Sequence, residues 1–155
     1  AVTEAVAAFR DVARTPAPRV SFGVVATDQC RKFHVDYVAL RMVVTLHGPG
    51  TEWVDEAGVD RQALAAHIEC PAQANAAIVT DPSRIRRCAA FDWLFLKGEA
   101  WPGQAGRGAV HRSPPIEAAR TPRVVLVLTL PRSRARTHLA RDSARSSCDA
   151  VQRRP

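Results

Sequence analysis

The run from Tyr37 to Leu46 constrains this chain more than any other stretch. It is apolar apart from Arg41 and Thr45. A strand with one wet face alternates apolar and polar residues, and this one does not. It therefore reads as a strand buried on both faces, near the middle of a sheet. Gly48-Pro49-Gly50 breaks it. Val124–Leu130 is a second such run and the strongest strand signal in the chain, closed by Pro131. Arg19–Thr27 and Phe91–Leu96 are β-rich, and Gly108–Arg112 is short and extended. Strand after strand separated by turn residues predicts a mainly β, largely antiparallel fold with six or seven strands, one or two fewer than a complete jelly roll. Residues 3–14 place Val6, Phe9 and Val12 on one helical face, and Asp60 caps a helix running to Ile68. Pro71–Arg87 reads as loop-like, with only Ala76–Thr80 extended, and Trp101–Gly108 reads as a loop. Both helices are expected at the periphery.

Charge separates a body from a tail. The formal charge is +7, but residues 131–155 hold seven Arg and two Asp, so the tail carries +5 and residues 1–130 carry +2. The tail is Arg/Ser-rich without apolar periodicity, which predicts a disordered basic appendage, 131–155, behind a single domain at 1–130. It has no aromatic side chain to stack on bases, so nucleic-acid binding is not expected. Four cysteines (Cys30, Cys70, Cys88, Cys148) form no CxxC pair and no dense disulfide framework. No stretch of about 18 apolar residues is present, so no membrane span is expected. The first residues are amphipathic and contain two acids, unlike a secretory signal. A cytoplasmic location is the expectation.

Within this frame one triplet carries chemistry. In His34-Val35-Asp36, an extended backbone sends residues i and i+2 to the same face, so an imidazole and a carboxylate can reach one ion together. Phe33, Val35 and Tyr37 would take the opposite face. His111, between a glycine-rich loop and Pro114-Pro115, would complete a two-histidine, one-carboxylate set, the set that suits non-haem Fe(II). The ordinary reading of such a triplet is a strand-edge histidine and a capping aspartate. Other residues have similar double readings. Cys30, four before His34, is a zinc ligand or a buried thiol. Glu52-Trp53 lines a pocket or packs in the core. Arg112 binds an anionic substrate or pairs with Glu99.

Three blocks in order, CRKFHVDYVALRMVVTLHGPGTEWV, FDWLFLKGEAWPGQAGRGAVHRSPP and RVVLVLTL, resemble the DUF1826 family of uncharacterised bacterial proteins over residues 20–130. The layout is more distantly similar to the double-stranded β-helix of Fe(II)/2-oxoglutarate oxygenases. That resemblance implies His34, Asp36 and His111 as iron ligands, and an arginine on the last strand binding the 2-oxoglutarate carboxylate. Arg123, which begins the strand, is the first choice for that arginine, and Arg120, in a loop, the second. Thr45 or Tyr37 would assist by hydrogen bonding. The alternative within the resemblance is a non-catalytic zinc- or iron-binding protein of the same fold, working in metal homeostasis. The substrate, small molecule or protein, is not specified by any segment.

Overall fold

The computed structural model describes residues 2–117 and 120–130, so the basic tail lies outside the described residues. Helix α1 (Val2–Ala13) is followed by β1 (Arg19–Val25), β2 (Leu40–His47) and β3 (Glu52–Val54). Next come α2 (Arg61–Ala65), α3 (Pro71–Ile78), β4 (Ile85–Arg87), β5 (Trp93–Lys97), β6 (Val110–Arg112) and β7 (Arg123–Leu130).

The strands form two antiparallel sheets. The long sheet has the order β1-β7-β2-β5 and the short sheet the order β4-β3-β6. A one-residue bridge, His34 to His111, adds a fourth row beside β6. As the apolar run predicts, β2 is central: it pairs with β7 on one side and β5 on the other. Pairing runs outward from β3 and β4, which are neighbours. β2 meets β5, the His34 bridge meets β6, and β1 meets β7.

Two cores lie on opposite sides of this arrangement. Leu40, Met42 and Val44 of β2 and Leu126 and Leu128 of β7 pack against Ala5 and Phe9 of α1. Phe9 stacks on Phe95, with ring centroids 6.3 Å apart. The buried face of α1 follows Ala5, Phe9 and Ala13 at a spacing of four. Val12, expected on that face, is 53% exposed. The second core joins Phe33, Val54, Ala74, Ile78, Val79 and Val110, so α3 covers the outer face of the short sheet. Because successive strand residues alternate faces, Arg41, Val43 and Thr45 of β2 and Arg123, Val125 and Val127 of β7 turn away from α1, toward the short sheet.

Three expectations are corrected. Pro71–Ile78 is helical, with Pro71 in the first turn, where its missing N–H is not needed. Its weak apolar stripe, Ala74 and Ile78, hides the helical period. The expected strand at Tyr37–Leu46 begins only at Leu40, after a turn at 37–39. β3 and β4 are strands of three residues each, too short to show a period. Asp60 caps α2 as expected, accepting from the N–H groups of Gln62 and Ala63, but that helix ends at Ala65. Among the described residues no helix is long and apolar enough to cross a membrane.

Candidate metal centre

Phe33 is fully buried against α3, and Val35 packs beside it. With these two anchored outward, His34 and Asp36 turn inward, toward the long sheet. The backbone around them is clamped from three directions. His34 and His111 exchange both main-chain hydrogen bonds at 3.0 Å. Asn75 of α3 accepts from the Phe33 N–H at 2.7 Å and donates to the Arg31 carbonyl at 2.9 Å. The Glu99 N–H donates to the Asp36 carbonyl at 2.9 Å. Gly98 permits that last contact, because a Cβ there would stand 2.6 Å from the Asp36 oxygen.

These clamps bring one ligand atom each from His34, Asp36 and His111 within 4.8 Å of one another. Donors about 2 Å from a common ion lie roughly 3–4 Å apart, so the three atoms would draw closer together around an ion. The imidazole centroids are 4.5 Å apart. His34 Nδ1 lies 2.8 Å from the Lys32 carbonyl and His111 Nδ1 3.0 Å from the Ala109 carbonyl. A carbonyl accepts, so each Nδ1 carries the proton and each Nε2 presents a lone pair. His111 is held neutral: burial first, then the neighbouring His34, pull its pKa down to about 4. Its Nε2 lies 3.4 Å from Asp36 Oδ2, a buried oxygen with no hydrogen-bond partner. His111 Nε2 and Asp36 Oδ2 thus face each other as acceptors with no hydrogen bond between them, an arrangement that a cation relieves. His34 also lines a solvent-facing cleft of about 390 Å³ with Cys30, Arg31 and Pro71.

A second polar group lies on the long sheet. Arg123, the first residue of β7, is 2% exposed. Its Nη2 donates to the hydroxyls of Thr45 (3.2 Å) and Thr51 (2.9 Å), while its buried Nε has no partner. Burial lowers the pKa of this guanidinium, and Glu52 partly counters the shift. No carboxylate among the described residues forms an ion pair with it. Gly48, at φ +80°, lets the β2–β3 turn approach the Arg123 backbone, since a Cβ there would lie 3.2 Å from its Cα. Tyr37 is 70% exposed and Arg120 is an exposed loop residue. The structure brings neither to the triad or to the Arg123–Thr45 pair in any hydrogen bond or ion pair that it shows.

Arg41 was not singled out from sequence, yet its Nη1 donates to Asp36 Oδ1 at 2.9 Å. The signal was present: a lone charge inside a strand buried on both faces needs a partner. Arg112 pairs with Glu52 at 2.7 Å and stacks over Phe33, so of its two readings the pairing one holds, with a different partner from Glu99. Glu99 instead accepts from the N–H groups of Gly106 and Gly108 and so ties down the loop leading to His111. Glu52, 4% exposed, also pairs with Arg87. Cys30 and Cys70 are exposed and Cys88 is half-buried. None of them belongs to the His34–Asp36–His111 group.

A family model described as "Protein of unknown function (DUF1826)" matches residues 1–129. No curated protein and no solved structure matches the chain.

Proposed function

The chain belongs to the DUF1826 family, and we propose that it is a non-haem Fe(II) protein of the 2-oxoglutarate-dependent oxygenase kind, on a jelly-roll fold. The fold reading is supported by strand order. Counting the His34 bridge as a strand between β1 and β2, the two sheets read 1-8-3-6 and 5-4-7-2. That is eight strands wound as one long hairpin folded across two sheets, as in a jelly roll.

The observation that carries the metal reading is the convergence of one ligand atom each from His34, Asp36 and His111 within 4.8 Å, with an unpartnered Asp36 oxygen and both Nδ1 atoms hydrogen-bonded to carbonyls. Hydrogen bonds from the other ring nitrogen to a carbonyl orient metal-bound histidines. Two imidazoles and one carboxylate with open positions suit Fe(II), which supplies oxygen activation when bound. Arg123 supports an anionic co-substrate. A buried guanidinium with neutral partners only, and a free Nε, is costly unless an anion completes it. Thr45, which binds Arg123, and Arg41, which binds Asp36, lie four residues apart on one face of β2, roughly 13 Å of strand. An anion bridging a metal ion at Asp36 and the Arg123 guanidinium would span that distance less the reach of the two side chains, the scale of a small dicarboxylate. Thr45 and Thr51 hold the guanidinium in place, and Asp36 and the two histidines orient the ion.

Anaerobic reconstitution with Fe(II), followed by titration of 2-oxoglutarate, tests this. A visible charge-transfer band should appear, vanish in His111→Ala, and need ~30-fold or more 2-oxoglutarate in Arg123→Met, as expected for truncating one side of a buried ion pair. Stoichiometric zinc with no response to 2-oxoglutarate would point instead to a metal-binding protein without oxygenase chemistry. No bound metal at all would sink the reading.

A further inference from the structure

The two oxygens of Asp36 are treated differently. Oδ1 accepts from Arg41 Nη1 at 2.9 Å, whereas Oδ2 is buried, unpartnered and 3.4 Å from His111 Nε2. The Asp36 main chain is held in place as well, because its carbonyl accepts from the Glu99 N–H. Arg41 itself is fixed in the ladder of β2, opposite Thr129 on one side and Leu96 on the other. Its Nε is buried without a partner, so the guanidinium has no competing acceptor there.

A carboxylate can give a metal ion one oxygen or both. With two imidazoles on a six-coordinate ion, one-oxygen binding leaves about three open positions and two-oxygen binding about two. The difference matters for the reading above, since a chelating keto acid takes two positions and O₂ needs a third. We propose that Arg41 is a positioning residue: by retaining Oδ1, it confines Asp36 to one-oxygen coordination and so sets the number of open positions at the ion. This inference rests on the metal reading of the same site. A purely electrostatic role for Arg41 would differ. Removing a nearby positive charge would tighten ion binding and leave the number of open positions unchanged.

Mn(II) is a suitable probe, because water-proton relaxation counts the exchangeable waters on the bound ion. Titration calorimetry gives its affinity in parallel. The wild-type protein should carry about three waters per bound Mn(II). In Arg41→Met the relaxation enhancement per bound ion should fall by about one third, as the freed carboxylate takes a second position. Arg41→Lys, which keeps a donor for Oδ1, should restore the wild-type value. Arg41→Leu, which likewise offers no donor, serves if the Met variant does not fold, and should show the same loss. An unchanged water count in a folded Met or Leu variant overturns the proposal while leaving the metal site standing. Failure of the wild type to bind Mn(II), Fe(II) or Zn(II) removes the metal reading itself, and this inference with it.

Discussion

The long sheet and the short sheet are held together by different forces. The long sheet has strands of five to eight residues, a continuous ladder, and an apolar face packed on α1. The short sheet has three strands of three residues each. Ladders that short contribute little by themselves. It is kept in place by side chains: Glu52 between Arg87 and Arg112, Arg84 on Asp55, Asn75 clamping the strand edge, and the second core beneath α3. Both histidines of the triad sit on this weaker sheet, whereas the two inward arginines, Arg41 and Arg123, stand on the stronger one. The lesson is that the long sheet serves as a wall carrying buried charge, and the short sheet places the candidate metal-binding histidines through specific polar contacts.

Five measurements would break or sharpen this contrast. Leu128→Ala, at a fully buried position of the long sheet, should cost about 3–4 kcal/mol in denaturant unfolding. A loss under about 1 kcal/mol would show that the wall is not where stability resides. Next in size is the ion. Saturating metal at about a hundredfold over its Kd should stabilise the fold by ~2.7 kcal/mol, and Asp36→Asn should abolish the gain.

Glu52→Gln should cost about 2 kcal/mol, less than a fully buried pair because Arg87 is half-exposed. Burial acts to raise the Glu52 pKa, but the hydrogen bonds from Arg87 and Arg112 outweigh it and hold the carboxyl below its ordinary 4.5. The folded value is depressed, so this contribution is complete above 4.5 and is lost as pH falls through the lower folded value. Stability curves of wild type and variant should therefore converge on acidification; parallel curves would remove the pair from the account. Asp60→Ala should cost about 1 kcal/mol by uncapping α2. Phe22→Ser, at a position 60% exposed on edge strand β1, should stay within about 0.5 kcal/mol in thermal unfolding. A larger loss would mean that this edge is covered in solution.

The same contrast governs what could be read from the residues alone. β2 and β7 stand out because long apolar runs are unambiguous, and their ends shift by only a few residues. β3 and β4 are invisible, since three residues carry no period. α3 is hidden because an alanine-rich helix with two buried residues has almost no stripe. At the site, the alternation of Phe33 and Val35 with His34 and Asp36 was legible, and so was Arg123 as a strand residue rather than a loop residue like Arg120. Arg41 as the partner of Asp36 and Asn75 as a backbone clamp were not, because each contact crosses between elements whose packing is not encoded in local spacing.

By itself the sequence determined that the chain is mainly β, that β2 is central, and that an imidazole and a carboxylate share a face. Those follow from hydrophobic periodicity and backbone alternation, which are local. Only the tertiary structure decided that His34 bridges His111, that Asp36 divides its oxygens between Arg41 and the site, and that Arg123 is buried with no ion pair among the described residues. These depend on the register of strands far apart in the chain, which is set by how both cores pack and not by any one segment.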